Sequence, residues 1–267
     1  MLLGWYLALL IITIPLSARI HQYYEARQLK SNVFGFGYGF VFSTCSATLS
    51  LGLYYIGKNF AHYHLSQSVH VFISLLSIQL LCLYGLNPIL NGTGQRILAH
   101  GSILILGILF VKYPISLNNL TLCILCILVA TRLGFQLNRW ASMPIFLLMA
   151  LFDIYAVWMS DIMHTMVDHY PQVTPSGLMT FAFACTEFLG AGDVIFSVLA
   201  ITLIQRIVSR GAATLTIISL LSQFIILEQL RGIGYFKYTF PCMILISPVA
   251  LFFLFIYPYF TPAPNLP

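Results

Sequence analysis

The chain has 267 residues, of which 60% are hydrophobic and only 7% are charged. Soluble domains carry about 25% charged residues, so this composition excludes an ordinary soluble globular protein and predicts that lipid is the chain's main solvent. The 12 Lys and Arg outnumber the 7 Asp and Glu, and they are spread over short loops. We interpret this excess as a signal of membrane topology and not as a surface for nucleic acid.

Apolar runs between charged or turn-rich breaks predict about nine membrane-spanning helices, because a helix needs about 20 mainly apolar residues to cross a bilayer. The runs are 2–18, 33–57, 69–90, 97–112, 115–131, 143–163, 177–204, 211–230 and 238–260. The fourth and fifth runs are short and only Lys112-Tyr113-Pro114 separates them, which leaves eight spans open. The first run resembles a signal peptide, but it lacks a preceding basic segment, so we expect a retained helix.

The distribution of basic residues predicts the orientation of these helices. The odd-numbered loops hold Arg19, Arg27, Lys30, Arg96, Arg132, Arg139, Arg206 and Arg210, whereas the even-numbered loops hold Lys58, Lys112, Arg231 and Lys237. Cytoplasmic loops are the ones enriched in Lys and Arg. We therefore expect a multi-pass integral membrane protein with its N-terminus outside and its C-terminus in the cytoplasm.

Two aspartates lie inside apolar runs, where a charge is expensive. Asp153 follows Met143 by ten residues, roughly 15 Å into the sixth span, and Asp193 follows Gly177 by sixteen, roughly 24 Å along the seventh. An ionised Asp in mid-membrane costs a few kcal/mol. Two carboxyl groups that face each other across a wet cavity can instead share one proton, as in aspartic proteases. The pattern therefore predicts a catalytic carboxylate pair.

Gly190, Ala191 and Gly192 stand directly before Asp193. Because glycine has no side chain, another backbone can approach the carboxylate closely at such a site, and a helix can unwind where it borders water. We interpret these residues as a surface for an extended substrate. A glycine-rich helix-packing face with an isolated Asp is the alternative interpretation.

With these motifs the chain resembles the presenilin and signal peptide peptidase family of intramembrane aspartyl proteases. The family has Tyr-Asp in its sixth span, and this chain has Phe152-Asp153. The family's Gly-x-Gly-Asp in the seventh span is intact here as Gly190-Ala191-Gly192-Asp193. Pro241-Cys242-Met243 stands where the family has Pro-Ala-Leu, so only the proline of that third motif is kept.

The resemblance implies a presenilin-like fold in one protease domain over 1–267, with N-terminal helices over about 1–142 and catalytic helices over about 143–267. It implies that Asp153 and Asp193 are catalytic and that Gly190–Gly192 and Pro241–Met243 bind substrate. The implied substrates are transmembrane helices or signal-peptide remnants in the bilayer. No metal or other cofactor and no nucleic acid is implied, and a homo-oligomer is left open.

Three other interpretations stay open at this point. A prepilin or preflagellin peptidase also uses a Gly-x-Gly-Asp acid, but it usually has fewer spans and does not account for Phe152-Asp153 or Pro241. A proton-coupled transporter predicts further mid-membrane polar residues and repeated halves, and neither is found. An inactive scaffold with a remnant site is the third alternative, since the Pro-Ala-Leu element is altered.

Overall fold

The structure is a computed structural model that describes residues 2–26, 35–61, 79–80, 83–85, 89–90, 92–112, 116–159, 180–183, 187–232 and 242–260. Nearly all of these residues are helical. The helices are α1 (Leu2–Ala26), α2 (Phe36–Ala61), α3 (Thr93–Lys112), α4 (Ser116–Gln136), α5 (Arg139–Ile154), α6 (Ala191–Ile207), α7 (Arg210–Gly232) and α8 (Met243–Leu251).

Most of these helices fall on predicted apolar runs, which confirms the helical character of the chain. Helix α3 is described as far as Lys112 and α4 from Ser116, while residues 113–115 lie outside the described residues. The choice between eight and nine spans therefore stays a prediction. The third run, 69–90, lies largely outside the described residues.

The seventh run is where the prediction of a continuous helix from residue 177 is wrong. Thr180–Phe183 (β1) and Glu187–Gly190 (β2) form an antiparallel hairpin in which Thr180 pairs with Gly190 and Phe183 with Glu187. Hydropathy does not distinguish a strand from a helix in a short apolar run. Alternating aromatic residues in Thr-Phe-Ala-Phe favour the extended form, and Gly190 ends the strand immediately before α6.

Two helical stretches among the described residues are long and apolar enough to cross a membrane, namely Arg139–Met159 and Arg210–Leu227. Ile124–Gln136 and Met243–Tyr259 are apolar but shorter. This supports association with a membrane. The number of spans and their orientation stay predictions.

One side of α5 and of its continuation to Met159 presents large apolar side chains to the outside. They recur at helical spacing as Trp140, Met143, Leu147, Leu151, Tyr155 and Trp158, and each is 39–60% exposed. The opposite side, including Ile145 and Phe146, is buried. A soluble protein seldom exposes such a continuous apolar face, whereas a lipid-facing helix requires one.

The chain divides into two compact units, each built from separate parts of the sequence. The first unit contains Met1–Ala47, Ala130–Met163 and Phe196–Pro267, and the second contains Thr48–Val129 and His164–Ile195. In the first unit the core includes residues 198–204 of α6, all of them buried. The single protease domain over 1–267 stays a prediction.

Candidate active site

The helix that carries Asp153 has a well-defined start. Asn138 is its N-cap, and the side-chain oxygen of Asn138 accepts a hydrogen bond of 2.7 Å from the backbone N–H of Ala141. Such a cap satisfies one of the amide groups that the first helical turn leaves without a partner. The cap fixes where α5 begins, and Asp153 is the next-to-last residue of that helix.

Beyond Asp153 the helix changes its hydrogen-bond pattern. Residues Tyr155–Met159 form a π-helix that continues directly from Ile154. Short π-helical segments are rare and are frequently found at functional sites. Asp153 therefore stands at a junction between two helical geometries.

Helix α8 packs antiparallel against α5 along its length. Arg139 donates to the carbonyl oxygen of Phe255 (3.4 Å). The hydroxyl of Ser247 donates to the carbonyl oxygen of Phe146 (2.8 Å). These contacts pair the start of α5 with the segment after α8 and the middle of α5 with the middle of α8, so the start of α8 comes to lie beside Asp153.

At that end the backbone N–H of Met243 donates a hydrogen bond of 2.9 Å to Oδ2 of Asp153. Met243 is the first residue of α8, and the amide groups of a first helical turn have no acceptor within their own helix. The N-terminal end of a helix also favours a negative charge. Half-buried Asp153 thus satisfies an otherwise unpaired amide of α8.

The second predicted carboxylate begins a helix instead of lying far along one. Asp193 is in the first turn of α6 and is half-buried. The predicted position roughly 24 Å along the seventh span is therefore wrong, because residues 187–190 are a strand and the helix starts at Ala191. The positive end of the α6 dipole favours a carboxylate at this place.

Gly192, directly before Asp193, has few neighbours among the described residues. Gly190 is the last residue of β2 and Ala191 the first residue of α6. Gly192 is exposed, and a Cβ built on it would meet none of the described atoms within 4 Å. Among the described residues Gly192 is therefore not part of a close helix-packing contact.

The structure brings Asp153 and Met243 together in the first unit, to which Cys242 also belongs, whereas Gly190–Asp193 belong to the second. The pairing of Asp153 with Asp193 stays a prediction. Pro241 lies outside the described residues.

The sequence analysis did not predict two features of the site. One is the β-hairpin, which the alternation in Thr-Phe-Ala-Phe could have indicated. The other is the Met243 amide, a backbone group that no side-chain pattern reveals.

Among the described residues there is no group of three or more His, Cys, Asp or Glu side chains that could hold a metal ion. Comparison of the chain with protein-family models and with curated protein sequences gives no match. The family resemblance consequently rests on the three short motifs and on the surroundings of their residues.

Proposed function

We propose that this protein is an intramembrane aspartyl endopeptidase, which hydrolyses peptide bonds in transmembrane helices or signal-peptide remnants. The observation that carries the proposal is the hydrogen bond from the Met243 amide to Asp153. It joins the acid of the first motif to the third motif, although 90 residues separate them in the chain.

In the proposed reaction Asp153 and Asp193 share one proton, and a water molecule lies between them and the substrate. The ionised carboxylate takes a proton from the water, whose oxygen attacks the peptide carbonyl carbon. The protonated carboxyl group donates its proton to the carbonyl oxygen. When the tetrahedral intermediate collapses, the C–N bond breaks and the leaving nitrogen receives a proton from the pair. Water is the only co-reactant.

The hairpin next to Asp193 supports the handling of an extended substrate. A helix protects its peptide bonds with its own hydrogen bonds, so the substrate has to unwind before water can attack. A strand edge offers backbone donors and acceptors to an unwound segment. The strand β2 ends at Gly190, three residues before Asp193, and a Cβ on Gly192 would meet none of the described atoms within 4 Å.

The proposal includes the remaining features that the motifs imply. The substrate-binding residues are Gly190, Ala191, Gly192, Pro241, Cys242 and Met243. The protein is a multi-pass membrane protein of about nine spans with its N-terminus outside, which resembles signal peptide peptidase more than presenilin. Substrates would then have their N-terminus in the cytoplasm.

The test is cleavage of a fluorogenic peptide that contains a transmembrane helix, by purified protein in detergent. Asp153→Ala and Asp193→Ala are compared with the wild type, with and without a hydroxyethylene transition-state inhibitor. We expect the inhibitor to block wild-type cleavage and both variants to be inactive. Cleavage that survives either substitution would overturn the aspartyl mechanism.

The same assay separates the alternatives. A prepilin-type peptidase would cut near the cytoplasmic end of its substrate instead of within the membrane segment. An inactive scaffold would cleave none of several substrates. A transporter would leave the substrate intact and show proton-coupled uptake in vesicles, which both Asp substitutions would abolish.

A further inference from the structure

A polar cavity of about 290 Å³ lies in the first unit, at a place where the ends of α1, α4 and α6 meet the start of α7. Hydrogen-bonding and basic side chains account for most of its lining, among them His21, Thr131, Gln205, Arg206 and Arg210. None of the lining residues is an acid. Neither Asp153 nor Asp193 lines the cavity.

Arg206 brings a positive charge into this cavity, and hydrogen bonds to backbone carbonyl groups hold its side chain in place. Its guanidinium donates to the carbonyl oxygens of Phe135 and Leu137, at the end of α4. Burial lowers the pKa of Arg206 to about 10, so the side chain stays protonated at neutral pH. Two of its five N–H groups are used in these bonds, and the others can serve a ligand.

Arg210 adds a second positive charge at the rim. It is exposed, and it begins α7, whose first-turn amides add to the positive potential. The carboxylate of Glu25 lies 3.2 Å from Nε2 of His21, but Glu25 does not line the cavity. The cavity therefore holds an excess of positive charge that its own lining does not neutralise.

Thr131 supplies an independent indication of a ligand. Its side chain is only 3% exposed and lines the cavity, yet its hydroxyl has no hydrogen-bond partner among the described residues. Buried polar atoms in folded proteins nearly always have a partner, and each one without a partner requires an explanation. A ligand with acceptor oxygens in the cavity would provide that partner.

We propose that this cavity binds a phosphate group, with Arg206 and Arg210 neutralising its charge and the Thr131 hydroxyl donating to one of its oxygens. Phosphate oxygens match guanidinium donors in charge and in geometry. The cavity lies at helix ends that the basic residues assign to the cytoplasmic side, where the headgroups of anionic lipids are found. The phosphate can belong to such a lipid or be free in solution. The inference does not rest on the proposed protease activity.

The test measures the thermal stability of the purified full-length protein in detergent against three titrated probes. These are dioctanoyl phosphatidylglycerol, dioctanoyl phosphatidylcholine and inorganic phosphate. A ligand that binds only the folded state raises Tm, and above its Kd the free energy of stabilisation grows with the logarithm of the ligand concentration. Stabilisation by phosphatidylglycerol alone assigns the phosphate to an anionic lipid, and stabilisation by inorganic phosphate assigns it to the free anion.

Two variants decide whether the cavity is the site. Arg210→Gln removes an exposed charge and Thr131→Val removes the unpartnered hydroxyl, and neither disturbs the α4 cap that Arg206 provides. We expect each to raise the Kd obtained from the concentration dependence of Tm about tenfold. Arg96→Gln removes an exposed arginine outside the cavity and should change nothing. The proposal is overturned if no probe stabilises the protein, if phosphatidylcholine acts as well as phosphatidylglycerol, or if both cavity variants bind like the wild type.

Discussion

The Met243 amide and the Asp153 carboxylate are joined by a hydrogen bond of 2.9 Å in which only the backbone of Met243 takes part. The identity of the side chain at position 243 is therefore not needed for the contact. Under the proposed family resemblance, this gives a physical reason why Pro241-Cys242-Met243 can stand where the family has Pro-Ala-Leu. What the contact requires is that α8 begin at this residue, so that its first amide points at the acid.

The first prediction concerns hydrogen exchange at Met243. As a first-turn amide it has no acceptor in its own helix, and the Asp153 side chain is the acceptor that protects it. We expect Asp153→Ala to speed exchange at this amide about tenfold. Asp153→Asn keeps an acceptor oxygen and should preserve most of the protection. Hydrogen exchange measured at single-amide resolution tests this. Equal exchange rates of the Met243 amide in Asp153→Ala and in the wild type would contradict the contact.

The second prediction concerns the altered motif. The double variant Cys242→Ala, Met243→Leu restores Pro-Ala-Leu while leaving every backbone donor in place. Met→Leu conserves volume, and such changes usually cost less than about 1.5 kcal/mol. We expect the variant to fold and to cleave the fluorogenic substrate at least as fast as the wild type. A loss of cleavage with unchanged Tm would show that this segment does not play the part that the resemblance assigns to it.

The third prediction separates a substrate surface from a packing face at Gly192. A methyl group there meets none of the described atoms within 4 Å, and Ala favours helix over Gly by up to about 1 kcal/mol. Gly192→Ala should therefore leave Tm unchanged or slightly raised. If a substrate backbone approaches this position, cleavage should still fall at least about tenfold. Unchanged cleavage would count against an approach surface, and a large drop in Tm would favour the packing interpretation.

The fourth prediction concerns Gly39, where α2 approaches the helix that carries Asp153. A Cβ on Gly39 would overlap the carbonyl of Ala141, whereas one on Gly37 would meet no described atom within 4 Å. Overlap with backbone forces one helix to move, so we expect Gly39→Ala to destabilise the protein by about 1–3 kcal/mol. Gly37→Ala is the matched control and should be neutral or stabilising. Thermal unfolding of the two variants side by side tests this difference, and equal Tm values would contradict it.

The fifth prediction is a loss of stability in acid that depends on His21, which lies beyond the first predicted span. Burial lowers the pKa of His21 below its usual 6.5 in the folded protein, while Glu25 opposes the shift. The unfolded chain then binds the proton more readily, so stability falls as the pH drops below 6.5 and the fall ends below the folded pKa.

His21→Phe keeps an aromatic ring against Phe135, whose centroid lies 4.8 Å from that of His21, but it cannot take up a proton. We expect Tm to fall less between pH 7 and pH 5.5 in this variant than in the wild type. Glu25→Gln should steepen the fall, since it removes the charge that favours protonation. Parallel Tm profiles in all three proteins would show that His21 does not cause the effect.

The sequence alone determined the class of this protein and its candidate acids. Its scarcity of charge and its long apolar runs predict helices in lipid, because solvation of the chain depends on composition. Asp153 and Asp193 were identified because they are acidic residues inside apolar runs.

Tertiary structure decided what local patterns do not encode. The strand ending at Gly190 was missed because apolar residues suit a buried strand as well as a membrane helix, and only pairing between residues 180 and 190 selects the strand. The contact between Asp153 and Met243 was equally out of reach, because a backbone amide is present at every residue except proline. It becomes specific only when antiparallel packing of α5 and α8 brings the first amide of one helix to the last turn of the other.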